Sequence, residues 1–162
     1  MKLAYGDMWS AWDSVDLFLI TTNSMIVERG LRDKTEELVM GSGIALKAWN
    51  RFPDLPRNLA KAIKSGEYGD DPKRYGLIIS KHWPKTRIGA FQTKYDWMNP
   101  SPLELIEFST NMLKKWCEEH PGATVALNFP GVGCGKLRIK DVLPTINRLP
   151  DTVTVWTRHP IQ

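Results

Sequence analysis

The sequence predicts a layered α/β fold, and three observations carry that expectation. Strand-like and helix-like segments alternate along the chain, the pattern of helices packed on a sheet. The strand-like segments are short apolar runs of the kind buried on both faces. Two glycine-rich segments, around residues 41–45 and 130–136, stand at strand-to-helix junctions, where open α/β sheets form their ligand crevices.

Each element has a local reason. Asp16-Leu17-Phe18-Leu19-Ile20-Thr21 is a continuous apolar run and reads as a buried strand. Ile44, Ala48 and Phe52 recur every four residues, with Ala45 and Trp49 beside them, so 43–52 reads as a helix with one buried face. Pro53 and Pro56 end it, and 55–64 reads as a second short helix. Residues 75–80 and 87–92 read as two more strands. Ser101 suits a helix cap, Pro102 the first helical position, and Glu104 completes a capping box. The apolar stripe Ile106, Leu113, Trp116–Cys117 then runs until Pro121-Gly122. A strand over 123–129, a glycine loop, a helix near 139–149 and a last strand over 152–157 complete the chain.

Bulk properties bound the class. The 162 residues suit one domain, 1–162, with a real core. No stretch approaches the roughly 18 apolar residues that span a membrane, so no membrane association is expected. The first residues lack the apolar region of a signal peptide. The two cysteines, Cys117 and Cys134, form no disulfide framework. They read as free thiols of a reducing cytoplasm. Their surroundings and the scattered His82, His120 and His159 give no metal-ligand spacing, so neither metal nor cofactor is expected. The net charge of +4 suits an anionic ligand and equally a nucleic acid, but no run of five basic residues occurs.

The glycine segments carry the chemistry. Met40-Gly41-Ser42-Gly43-Ile44-Ala45 opens a helix, where backbone N–H groups and the helix dipole favour an anion. Pro130-Gly131-Val132-Gly133-Cys134-Gly135-Lys136 leaves little side chain to block a phosphate or a ribose. A Walker loop would need Gly at Pro130 and Ser or Thr at Leu137, and a dinucleotide fingerprint would need Gly at Lys136. Either segment alone reads as readily as a tight turn; the pair fits a crevice better. Seven tryptophans are many for this length. Trp49 and Trp116 fit helix cores, while Trp9, Trp12, Trp83 and Trp97 fall in loops or strand ends, where packing competes with stacking on a base. Lys81, Lys85, Arg87 and Lys94, near Trp83 and Trp97, suggest an alternative basic and aromatic surface for single-stranded nucleic acid.

In chain order, Gly6-Asp7, Ile20-Thr21-Thr22-Asn23-Ser24, Gly41-Ser42-Gly43-Ile44-Ala45, Arg51-Phe52-Pro53, Thr93-Lys94-Tyr95-Asp96-Trp97 with Pro100-Ser101, Ile106-Glu107, Pro130-Gly131-Val132-Gly133-Cys134-Gly135 and a final Thr-Val-Thr-Val-Trp strand together resemble the macrodomains that bind ADP-ribose. The likeness covers nearly the whole chain. It is greatest to the branch holding the DNA ADP-ribosyl glycohydrolase antitoxins and the terminal ADP-ribose glycohydrolase. It implies a three-layer α/β/α fold with a central mixed sheet, acting as a monomer on ADP-ribose or an ADP-ribosylated macromolecule, nucleic acid included.

The resemblance also implies roles. Asp7, with Met8 beside it, would accept a hydrogen bond from the adenine amino group. Asn23 would contact the distal ribose. Gly41, Ser42, Gly43, Ile44 and Ala45 would hold one side of the diphosphate. Pro130, Gly131, Val132, Gly133, Cys134 and Gly135 would close over the other side. Lys94, next to Thr93, matches the lysine this branch uses to remove ADP-ribose, as a nucleophile or in proton transfer. Catalysis would then rest on Lys94 and Asn23. Lys136-Leu137-Arg138 stand where the human relative has an aspartate, leaving Asp96 and Asp141 as candidate substitutes. Without chemistry, the same site would make a reader or sponge for ADP-ribose or another NAD-derived signal. The charged segment 25–39 reads as a solvated excursion or as a lid. By analogy with small bacterial and phage relatives, a place in toxin neutralisation or counter-defence is expected.

Overall fold

The computed structural model describes residues 1–159; positions 160–162 of the expected domain lie outside the described residues. The strands are β1 (Lys2–Tyr5), β2 (Leu17–Thr22), β3 (Ile26–Arg29), β4 (Thr35–Leu38), β5 (Leu77–Ile78), β6 (Ile88–Gln92), β7 (Val125–Asn128) and β8 (Val153–Thr157). The helices are α1 (Gly43–Arg51), α2 (Leu55–Lys64), α3 (Leu103–Glu119) and α4 (Ile139–Ile146). Six strands form one sheet in the order β1-β8-β7-β2-β6-β5. The first five run parallel, and β5 pairs antiparallel with β6 at the edge. The sheet is therefore mixed, as expected.

The strict two-residue alternation of β2 builds two cores. Phe18 and Ile20 point to one face, where they meet Ala48 of α1 and Leu55, Leu59 and Ile63 of α2. Leu17 and Leu19 point to the other, against Ile106, Leu113 and Cys117 of α3 and Val142 and Ile146 of α4. Burying each large side chain contributes about 1.5–3 kcal/mol. Helices on both faces of the sheet give the three-layer α/β/α architecture.

Four local expectations need correction. The strand expected over 75–80 shrinks to Leu77–Ile78. Gly76 sits at φ 76°, and its N–H is taken by the Gln92 side chain at 2.9 Å, so the ladder starts late. The cap of α3 is Pro102, not Ser101; no side chain caps the helix, and Ser101 is buried instead. Helix α4 stops at Ile146, short of Leu149. Finally, 25–39 is not a purely solvated excursion. It forms the antiparallel hairpin β3–β4, which packs on α2 with Leu38 fully buried and Ile26 against the core. Glu36 pairs with Lys64 of α2, and Arg29 lies 5.1 Å from the Trp49 ring centroid. The exposed stretch is residues 28–34, the end of β3 and the turn.

Candidate functional site

Because β1, β2, β6, β7 and β8 are parallel, their carboxyl ends share one edge of the sheet. The segments after β1, β2, β6 and β7 leave from that edge, and hydrogen bonds tie the last three to one another. Gly6 donates its N–H to the Thr157 carbonyl at 2.8 Å. Ser24 donates both its N–H and its hydroxyl to the Tyr95 carbonyl, at 3.2 and 2.9 Å. Ser101 N–H bonds to the Gly135 carbonyl at 2.9 Å. Thus the segment carrying Lys94 touches both the end of β2 and the second glycine loop.

The two glycine loops also meet, although they lie far apart in sequence. The Ser42 hydroxyl is 3.8 Å from the Cys134 thiol. Gly41, Ser42 and Gly43 are exposed at the start of α1, and open space faces both Gly41 and Gly43. No acidic side chain occupies the first turn, so the helix dipole is left for an incoming anion. Ile44 and Ala45 turn inward against the core. In the second loop the glycines divide. Gly131, at φ 78°, is boxed in by Ile106 and Leu137, and Gly135 presses on Ser101, so both fix the loop's shape. Gly133 faces open space, with Val132 half-buried and Cys134 exposed beside it, while Pro130 is buried.

Asp7 and Met8 begin a single 3-10 turn, in which the Asp7 carboxylate accepts the Trp9 N–H at 3.0 Å. Among the described residues its second oxygen accepts no hydrogen bond, whereas the Met8 side chain is buried in the core. Asn23 is half-buried and occupied. Its amide donates to the Val39 carbonyl at 3.0 Å and accepts from Met25 N–H at 2.9 Å, clamping the base of the hairpin. A role on a ribose is left to one further N–H and one lone pair.

Lys94 is only 9 % exposed. Among the described residues its ammonium makes one hydrogen bond, a long one of 3.4 Å to the Trp97 carbonyl. Thr93 beside it is buried, with its N–H bonded to the Thr22 carbonyl at 2.9 Å. Of the two acids considered as substitutes, Asp141 is held by Arg138 at 2.9 Å. Asp96 faces Lys94 more directly. Its carboxyl is held below the usual range by hydrogen bonds from Asn99, first by its side chain and then by its backbone, with Met98 N–H and the Lys94 charge assisting.

Sequence reasoning missed Gln92 and Tyr75. Gln92 is fully buried and donates to the carbonyls of Lys73 and Lys94 at 2.7 and 3.1 Å. Tyr75 donates to the Asn23 carbonyl at 2.6 Å and meets the Thr22 hydroxyl at 2.5 Å. Burial pushes its phenol far above the ordinary range. A polar residue ending an apolar strand, as Gln92 does, was the available signal.

The basic and aromatic surface expected from Trp83 and Trp97 does not form. The two residues flank opposite ends of β6. Trp83 packs on Trp116, 5.0 Å between ring centroids, and lines an open groove of about 560 Å³ with Lys81, Lys115 and His120. Arg87 turns inward to the Trp12 carbonyl at 2.6 Å. Trp9 is buried and stacked on Phe18 at 4.5 Å. No described helix is long and apolar enough to cross a membrane.

No protein-family model matches the chain. The DNA ADP-ribosyl glycohydrolase of Mycobacterium tuberculosis is 33% identical over 137 residues, 77% of this chain and 39% of that protein. The chain thus spans about two fifths of that curated relative's length. The macrodomain of Thermus aquaticus DarG superposes with a TM-score of 0.72 at 27% identity, over 98% of this chain and 97% of that one. Thermosipho africanus DarTG, solved in complex with ADP-ribose, shares the fold at a TM-score of 0.70 and 20% identity, over 99% of this chain and 43% of that one. By sequence and by fold together, the chain belongs to the macrodomain family and is a macrodomain of the DarG type.

Proposed function

We propose that the chain binds ADP-ribose at the carboxyl edge of the sheet and hydrolyses an ADP-ribosyl linkage on nucleic acid. The observation that carries this reading is the Lys94 ammonium, buried beside the crevice with one long hydrogen bond. Among the described residues Lys94 lies in no ion pair, although the Asp96 carboxylate is near enough to feel its charge, so the position favours a ligand rich in negative charge and hydroxyl oxygens. A diphosphate across the open starts of the two glycine loops supplies the first. The distal ribose near Lys94 supplies the second. Asp7 keeps one carboxylate oxygen for an adenine amino group.

In this pose Lys94 stands at the anomeric carbon. Water adds to the anomeric carbon as the glycosidic bond breaks, the bonding pair leaves with the base, the proton that water sheds ends on the base, and the Lys94 ammonium stabilises the negative charge that develops there. Asn23, fixed by the hairpin base, holds the ribose. One observation favours a binder without chemistry: Asp141, the nearest acid along the chain after the second glycine loop, is engaged by Arg138. Incubation with ADP-ribosylated single-stranded DNA, and separately with ADP-ribosylated protein, decides between them. Release of ADP-ribose from the DNA is the expected result. Binding of ADP-ribose with no release from either substrate makes the protein a reader or sponge.

A further inference from the structure

The crevice accounts for Lys94 but not for the two residues beyond it. Trp97 is 55% exposed and Met98 61%, among the large apolar side chains left in water. They are not loose. The Asp96 carboxylate accepts Met98 N–H at 2.8 Å and Asn99 N–H at 2.9 Å, and it also takes the Asn99 side-chain amide. The Trp97 carbonyl faces the Lys94 ammonium at 3.4 Å. The turn is thus built to hold an indole outward, one short step from the proposed reacting lysine. Leaving it in water forgoes the burial that so large a ring ordinarily gains.

Basic residues lie on chain segments tied by hydrogen bonds to both ends of this turn. Gln92 holds the backbone of Lys73 and Lys94 on one amide group. The Ser101–Gly135 bond places Lys136 next to the other end of the segment. Arg74 and Arg138 are neutralised by Glu104 and Asp141. Among the described residues Lys73 and Lys136 are exposed and lie in none of the ion pairs. An exposed aromatic ring between basic residues is how proteins hold single-stranded nucleic acid, the ring taking a base and the cations the phosphates.

We propose that Trp97, with Met98 beside it, is the stacking platform for the nucleobase that carries the ADP-ribosyl group, set beside Lys94 so that base and anomeric carbon are held together. This inference deepens the function proposed above and rests on it for the hydrolytic arm only. Trp97 is a positioning residue for the acceptor side. Its ring holds the base equally before and during bond breaking, so its loss raises KM more than it lowers kcat.

Two measurements test this. The first is anisotropy of a labelled, unmodified oligothymidylate, which needs no hydrolysis. Trp97→Ala is expected to weaken binding by roughly 5- to 150-fold, the range for one base–aromatic stack. Trp97→Phe, which keeps a ring, stays close to the wild type, and ADP-ribose affinity changes by less than about threefold, as for a surface substitution. The second is turnover: Trp97→Ala raises KM on ADP-ribosylated single-stranded DNA more than it lowers kcat. Wild-type binding of the oligonucleotide that depends on Trp97 supports the platform even if no hydrolysis occurs, in which case the hydrolase reading alone fails. Oligonucleotide binding that is absent in the wild type or unaffected in Trp97→Ala overturns the platform. A loss of kcat on the DNA substrate with KM unchanged overturns it too.

Discussion

Cys117 and Cys134 carry the same thiol in opposite surroundings. Cys117 is buried, and burial pushes its thiol up to about 11, against a weaker lowering by the Thr152 hydrogen bond. Cys134 is exposed at the tip of the second glycine loop. Alkylation of the native protein near pH 8 should therefore add one label, on Cys134, within the time that leaves Cys117 untouched; mass spectrometry reads both. Asp96 makes a second prediction. Its folded carboxyl titrates below the unfolded value of 3.8, so its contribution is present above that pH and lost as pH falls through the folded value. The melting temperature of Asp96→Ala should lie below wild type near neutrality, and the gap should close in acid. At this scale the sequence was only half legible. It marked Lys94 and both glycine loops. It could not show that Asn23 spends its amide on the hairpin base, or that Met8 and Trp9 point into the core, because residue type does not fix direction.

Among the elements, the hairpin β3–β4 departs most from expectation. Its charges suggested solvent, yet Leu38 is fully buried against the α1–α2 core. Leu38→Ala should cost about 2–5 kcal/mol in denaturant unfolding, as for other buried leucines. A lid would lose almost nothing. The start of α1 makes the complementary case. Gly43, at φ 58°, has open space before it. Gly43→Glu puts a strained residue and a negative charge where a diphosphate would lie. Calorimetry should then show no ADP-ribose heat while the circular dichroism spectrum is nearly unchanged. The buried runs of β2 and β7 and the amphipathic face of α3 were legible, since their periods are set by burial. The short β5 and the true cap of α3 were not, because Gly76 and Ser101 answer to contacts with Gln92 and Gly135 that are distant in sequence.

Across the whole molecule, parallel strands gather the segments after β1, β2, β6 and β7 at one edge. That topology brings scattered short motifs to one edge of the sheet, with the two glycine loops in contact through Ser42 and Cys134. The order of motifs made the fold legible; the crevice's internal wiring, through Gln92, Ser24 and Tyr95, is a tertiary matter. In the proposed function Lys94 acts on the bond being broken and not merely on the bound ligand. The most direct measurement compares wild type and Lys94→Ala in two assays, single-turnover release of ADP-ribose from ADP-ribosylated single-stranded DNA and calorimetric affinity for free ADP-ribose. Removing a group that works in the transition state should slow release by roughly 10²- to 10⁴-fold, while affinity changes by less than about tenfold. Release from Lys94→Ala at the wild-type rate would contradict the account.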